Sequence, residues 1–244
     1  MILLSEVKVY AHRGASGYAL ENTWEAFIKA CELGVGIELD VQITKDGVVV
    51  VYHDENLKRL TGINADIDTL DYEDIKDLRV GKRWMRRIQH HQIPLAYEVF
   101  QWAKKKEIPL NVELKGSFAK NPKGPQILAA MLEGMNDVHI SSFDPQLLKE
   151  MKNLMPSTEM AWIIKKNKQL AYSKGMDWVD SIHLHKRLLS KALWHELFNL
   201  DKQVRIYGIL GSESLTQRLE PLMVGIITDY PDRVKRKMAP PFAG

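Results

Sequence analysis

The chain predicts an α/β fold closed into a TIM (β/α)8 barrel. Strand-like runs and helical patterns alternate almost from end to end, which implies a parallel sheet crossed by helices. About eight such units in a chain of 244 residues match the size of a closed eightfold barrel. An open doubly wound sheet would want Gly-x-Gly-x-x-Gly after its first strand. The chain has His12-Arg13-Gly14-Ala15-Ser16-Gly17 there instead.

Strands are expected over 7–12, 36–43, 48–53, 109–114, 137–142, 158–164, 179–184, 203–209 and 225–228, short runs rich in Val and Ile, as suits strands buried on both faces. Thr23 caps a helix running to Leu33, with Gly34 as its stop. Pro94 precedes a helix to about Lys106, and Pro125 opens one ending near Gly134. Asp144-Pro145 is an N-cap and first-turn pair for a helix reaching Met155, where Pro156 ends it. Further helices fit 190–199 and 213–220. Residues 54–93 break the alternation. They are polar, carry Asp66, Asp68, Asp71, Glu73, Asp74 and Asp77, and hold one helical stretch over 71–79. They read as a small insertion after the second barrel strand region, either lying over one mouth or forming a plain surface excursion. No linker divides the chain, so residues 1–244 are expected to form one domain.

With 45% hydrophobic residues the chain can bury a sizeable core. No stretch reaches the ~18 apolar residues of a membrane span, so no membrane insertion is expected. Met1-Ile-Leu-Leu-Ser-Glu6 lacks the basic start and long apolar run of a cleavable signal. Cys31, the only cysteine, excludes an internal disulfide, fits a cytoplasmic location and reads as a buried structural thiol on a helix. The net charge of +3 is a weak bias that would help draw in an anionic substrate. Lys104-Lys105-Lys106, Lys165-Lys166 and Arg233–Lys237 read as solvated helix faces or a frayed tail. No aromatic platform accompanies them, so nucleic acid is not an expected partner. The oligomeric state is left open.

Charged residues inside apolar strands carry the functional reading. Glu38 and Asp40 lie two apart and so share a strand face. Ile37, Leu39 and Val41 take the helix side, which turns the carboxylates inward. Glu113 and Lys115 repeat the arrangement between Val112 and Leu114. Inward groups near the C-terminal ends of barrel strands form the usual active-site mouth. Three inward carboxylates are hard oxygen ligands suited to Mg²⁺ or Ca²⁺; the alternative is ion pairing, Glu113 with Lys115 or Glu38 with Arg13. His12 and His53 each close a strand and could serve as general base and general acid, while Arg13 and Lys115 suit a phosphate. His90, His91, His139 and His195 read as structural. His183 and His185 share a strand face without nearby acids, though His183 could reach the mouth. Asp54 is expected to orient a turn rather than bind metal.

Taken together, His12-Arg13-Gly14-Ala15-Ser16-Gly17-Tyr18, Glu21-Asn22-Thr23, Ala26-Phe27, Glu38-Leu39-Asp40-Val41, Thr44–Gly47 and His53-Asp54 resemble the glycerophosphodiester phosphodiesterases. The likeness continues through Ile93-Pro94, Asn111–Lys115, Ser142-Phe143 and Gly225–Pro231, over nearly the whole chain. It implies a TIM barrel that hydrolyses a small glycerophosphodiester, such as glycerophosphocholine or glycerophosphoethanolamine, to sn-glycerol 3-phosphate and an alcohol. It implies His12 and His53 as the acid–base pair, Glu38, Asp40 and Glu113 as ligands of a divalent cation, and Arg13 and Lys115 as phosphate contacts. Glu21 takes a lesser role near the metal or the glycerol hydroxyls.

The chain departs from the family pattern in places. Leu20 stands where Pro is usual, Leu95-Ala96-Tyr97 where Thr-Leu-Glu is common, and Val224 where an Asp often precedes the last strand. Ile206-Tyr207-Gly208-Ile209 replaces a Trp-Thr-Val-Asn type of sequence, leaving Tyr207 as the aromatic against the substrate. These departures leave the alcohol open. A lysophospholipase D acting on larger lipids is the alternative, with Trp84, Met85 and Ile88 as a possible apolar entrance if they do not lie in a covered core. A non-catalytic binding protein on the same barrel ranks last.

Overall fold

The structure is a computed structural model that describes residues 7–88, 90–200, 202–213 and 222–238. Its strands are β1 (Lys8–His12), β2 (Gly36–Ile43), β3 (Val49–Val51), β4 (Leu110–Leu114), β5 (Val138–Ser142), β6 (Glu159–Ile164), β7 (Ser181–His185), β8 (Gln203–Ile209) and β9 (Met223–Thr228). They run in the order β1-β9-β8-β7-β6-β5-β4-β2-β3, and a further β1–β2 pairing closes the ring. Every pairing in the ring is parallel. The expected eight-stranded barrel is therefore present, with β3 outside it.

β3 pairs antiparallel with β2, Val41 opposite Val51. The run over 48–53 is thus a hairpin return on the barrel's flank. His53 follows this flanking strand rather than closing a strand of the ring.

Helices fill the crossovers as their caps predict. Trp24–Glu32 begins at Thr23, whose Oγ1 accepts from Ala26 N at 3.4 Å, and Gly34 follows it at φ +61°. Pro145–Leu154 begins at Asp144, which accepts from Gln146 N at 2.8 Å. Ala96–Lys105, Gly124–Leu132 and Lys191–Leu200 match the remaining expectations. The helix expected over 213–220 lies outside the described residues but for Glu213.

The structure corrects several expectations. Of the two readings of Arg233–Lys237, the helix face is the one present: Pro231–Met238 is a helix with Val234 and Met238 buried and Lys235, Arg236 and Lys237 in its last turn. Lys165-Lys166 follow β6 in a loop, not on a helix. Cys31 is only half-buried. The 54–93 segment holds more than one helical turn: Lys58–Thr61, Ile67–Thr69, Tyr72–Ile75 and Met85–Ile88. Its sparse apolar residues, among them Leu57, Leu60, Ile67, Ile75 and Val80, gather with Val50 and Tyr52 into a cluster separate from the main core. Trp84 and Ile88 are not in that core; they are 61% and 72% exposed.

Candidate active site

The loop after β1 is tied down at both ends. Gly14, at φ +75°, passes so close to the first helix that a Cβ would sit 2.6 Å from the Ala26 backbone. Gly17 donates to the Asp229 carbonyl at 3.0 Å, and a Cβ there would meet the Tyr230 ring at 2.4 Å. Only glycine permits both approaches. Between β1 and Gly14, Arg13 takes a left-handed φ of +54°, which aims its backbone N–H at Glu38 Oε2, 2.7 Å away. A non-glycine residue in that region stores strain, a recurrent feature of functional sites.

Glu38 and Asp40 of β2 and Glu113 of β4 each offer a carboxylate oxygen within 4.8 Å of the others, and all three are buried. Their charges are unequally met. Lys115 Nζ lies 2.7 Å from Asp40 Oδ1 and also contacts Glu113. Arg13 Nε lies 3.3 Å from Asp40 Oδ2, and Asn22 donates to the same oxygen at 2.8 Å. Burial opposes the charge on Asp40, but Lys115 and Arg13 hold its carboxyl well below the usual range. Glu38 has less help: burial and the neighbouring Asp40 push it up to about 7. The same two causes raise Glu113. Ion pairing therefore accounts for Asp40 and part of Glu113, while Glu38 meets Arg13 through its backbone rather than its guanidinium. A cluster of hard oxygen donors short of positive charge fits a divalent cation.

His12 and His53 flank this cluster. His12 Nδ1 lies 2.7 Å from Asp229 Oδ1, which also accepts from Ser16 Oγ at 3.1 Å. His53 Nδ1 lies 2.6 Å from Asp54 Oδ1. A carboxylate on Nδ1 fixes the tautomer that leaves Nε2 free for chemistry. Burial would lower His12, but Glu38 and the Asp229 hydrogen bond raise it above its ordinary value. His53 is lowered, mainly by burial.

These groups share a cavity of about 90 Å³ whose wall includes His12, Arg13, Glu38, His53, Glu113, Lys115 and Tyr207. Among the predicted site residues, Asp40 and Glu21 do not line that cavity. The Glu21 carboxylate is taken by Arg13 Nη1 at 2.8 Å and by a two-pronged contact from Arg59, at 2.7 and 2.8 Å. Arg59 also reaches Asp54 at 2.5 Å, so a residue of the insertion braces both the Arg13 side and the His53 side of the site. A larger cleft of about 660 Å³ opens at the opposite end of the barrel, but it is bordered by Val7 and Met238 at the limits of the described chain, and the charged groups converge on the small cavity.

Sequence reasoning quoted Asn22 and Asp229 within the family-like stretches but gave them no role, missed Arg59, and gave Asp54 only a turn. Asn111 and His183 also line the cavity. His139, read as lacking charged surroundings, is buried in the barrel interior near Arg205, with its ring edge-to-face on Tyr10 at 5.1 Å.

A family model, the glycerophosphoryl diester phosphodiesterase family, matches residues 12–233. The chain belongs to this family. A glycerophosphodiester phosphodiesterase of Caldanaerobacter subterraneus is 32% identical over 239 residues, covering 92% of this chain and 94% of that protein. An uncharacterized Bacillus subtilis protein, YqiK, is 30% identical over 234 residues, 93% and 96% of the two chains. Among solved structures, an Oleispira antarctica phosphodiesterase in complex with sn-glycerol 3-phosphate superposes with a TM-score of 0.84 at 23% identity, covering 95% of this chain and 96% of that one; at that identity it speaks for the fold. The phosphodiesterase is thus a TIM-barrel hydrolase. Its family and its buried carboxylate cluster are compatible with a divalent metal ion. Among the described residues, no helix is long and apolar enough to cross a membrane.

Proposed function

We propose that this phosphodiesterase hydrolyses small glycerophosphodiesters to sn-glycerol 3-phosphate and an alcohol, using His12 and His53 as the acid–base pair beside a divalent-cation site of Glu38, Asp40 and Glu113. One observation carries the reading: two histidines, each with a carboxylate on Nδ1, face one small cavity into which buried carboxylates, an arginine and a lysine converge. The relatives named glycerophosphodiester phosphodiesterase support the substrate class.

Glu38, Asp40 and Glu113 would hold a Mg²⁺ or Ca²⁺ ion, which would supply polarisation of a phosphoryl oxygen. The chain's own groups do the rest. Arg13 and Lys115 sit where they offset charge on the phosphoryl oxygens as it develops. Nε2 of one histidine takes the proton of the attacking hydroxyl, from water or from the glycerol 2-hydroxyl. Nε2 of the other protonates the leaving alkoxide. Asp229 and Asp54 hold the rings in orientation and stabilise the imidazolium form. Glu21 acts by holding Arg13 in place, and Tyr207 forms an apolar wall for the substrate. The chain works as one domain with the 54–93 insertion bracing the mouth, and the lone cysteine fits a cytoplasmic enzyme.

The test is release of glycerol 3-phosphate from glycerophosphocholine and glycerophosphoethanolamine with Mg²⁺, Ca²⁺ or EDTA, beside His12→Ala. Metal-dependent release that disappears in the variant is the expected result. No release from either compound by folded, metal-supplemented protein would refute the reading and turn the search to lysophospholipids.

A further inference from the structure

Two residues that line the cavity, Asn111 and His183, are each only 1% exposed. Asn111 stands one strand step beneath Glu113 on β4 and is the register partner of Glu38. His183 stands one step beneath His185 on β7. Neither Asn111 Oδ1 nor His183 Nε2 has a hydrogen-bond partner among the described residues. Buried polar atoms in folded proteins are normally paired, and each exception calls for an explanation. Here two exceptions border the same cavity, so a guest in that cavity can satisfy both.

The chemistry of that guest is constrained. Among the described residues no carboxylate acts on His183, and burial together with Arg205 disfavours its charged form, so it is unsuited to acid–base work at the mouth. A neutral imidazole offers one donor and one acceptor, and an amide oxygen accepts twice. That set recognises hydroxyl groups, which donate and accept at once, and gives no charge to bind an anion. The cavity also has a direction. His12, His53 and Phe143 lie toward the partly exposed end, and Asn111 and His183 toward the closed end. A substrate class with one constant part and one variable part fits by placing the variable alcohol at the open end. The constant part, the glycerol, then meets the closed floor.

We propose that Asn111 and His183 form a hydroxyl-reading subsite that recognises the free hydroxyls of the substrate's glycerol moiety and so sets specificity for glycerol-bearing diesters. The inference rests on the proposed glycerophosphodiesterase activity. A site built to hydrogen-bond a hydroxyl rejects an analogue that lacks it, because its own buried groups are left unpaired.

The experiment compares kcat/KM for glycerophosphocholine and for its 1-deoxy analogue, 2-hydroxypropyl phosphocholine, which keeps the hydroxyl able to act as nucleophile, with the metal-loaded full chain. Wild type, His183→Gln, His183→Leu and Asn111→Ala are measured, with thermal melts to confirm folding. The wild type is expected to favour the glycerol compound by about 10- to 100-fold. That ratio should fall toward one in Asn111→Ala and His183→Leu and be partly kept in His183→Gln, which retains a polar group at that place. An unchanged ratio in folded Asn111→Ala and His183→Leu would overturn the subsite and assign the floor to water alone. A wild type that cleaves bis(4-nitrophenyl) phosphate but neither choline diester would instead overturn the parent reading, and this inference with it.

Discussion

His12 and His53 at the mouth each hold a carboxylate on Nδ1, whereas His139 and His183 in the barrel interior have no carboxylate acting on them. The residue type is the same and burial disfavours the charge in all four. What differs is the partner. At the mouth, Glu38 and Asp229 overturn the desolvation of His12 and raise it, while Asp40 and Asp54 only partly offset that of His53. In the interior, Arg205 adds to the desolvation of His139 and His183, and both are driven well below the ordinary histidine value. A histidine inside a barrel strand is therefore not informative by itself. A histidine with a carboxylate on its far nitrogen, facing a cavity, is.

The largest effect should come from removing the mouth histidines. His12→Ala and His53→Ala are each expected to lower kcat by about 10²- to 10⁴-fold, the range for loss of a general acid or base. Their melting temperatures should stay near wild type, since both side chains are partly exposed. His139→Gln should reverse the pattern, losing stability while keeping most of its kcat. Steady-state assays paired with melts check both halves, and a His139→Gln as inactive as His12→Ala would break the distinction.

Metal comes next. Ligand saturation at 100 times Kd stabilises by about 2.7 kcal/mol. In a chain of this size that is a rise in Tm of roughly 5–10 °C on adding Mg²⁺ or Ca²⁺ to EDTA-treated protein. The shift should be larger at pH 8 than at pH 5.5, because Glu38, pushed up to about 7, must give up its proton to become a ligand. Glu38→Gln should abolish most of the shift. Scanning calorimetry at the two pH values reads it out.

The partners of the two mouth histidines should matter less than the rings themselves. Asp229→Asn keeps the side chain's shape but removes the charge that orients and supports His12. A fall in kcat of about 10- to 100-fold with little change in KM is expected from loss of imidazolium stabilisation of this kind. Asp54→Asn should give a smaller fall, because Asp54 also serves Arg59, and its loss is spread over the Glu21–Arg59 contacts. Equal losses, or losses confined to KM, would contradict the orienting role.

The sequence made the barrel strands legible because strands covered on both faces must be apolar runs, and all nine runs became strands. It did not separate β3 from the ring, since Val48-Val49-Val50-Val51 looks like a barrel strand. A signal was present, however. Only the short stretch Thr44–Gly47 lies between the expected strands 36–43 and 48–53, too little for a parallel crossover, and it forces a hairpin. The carboxylates and histidines of the site were legible because charge inside apolar runs stands out. Asp229 was not, because it sits 217 residues from His12 and only barrel closure through β1 and β9 joins them. Arg59 was hidden in the same way, inside a segment whose polar composition gave no hint of which charge turns inward. The Arg205–Glu159 pair, with contacts to Ser181, escaped notice since each residue lies alone on its strand.

The last effect is the one that separates the two regions most cleanly. His139 and His183 stay neutral in the fold but titrate near 6.5 once unfolded. Below that pH the unfolded state binds protons that the folded state refuses, so stability is full above pH 6.5 and is lost as pH falls. The expected slope is about 1.4 kcal/mol per pH unit for each histidine. Glu38 at the mouth works the other way. Its folded value lies above its unfolded one, so its contribution is present at low pH and is lost as pH rises toward about 7. Urea unfolding from pH 5 to pH 8 in EDTA should therefore show the two contributions opposed below about pH 7, stability rising with pH by less than the two histidines alone would give and levelling off above that pH. Saturating metal should steepen this acid limb, because the ion replaces the proton on Glu38 and is itself released as pH falls. His139→Gln should do the opposite, flattening the acid limb and leaving the effect of metal in place. If metal flattened the acid limb instead, the interior histidines would be coupled to the mouth, and the two regions would have to be treated as one electrostatic unit.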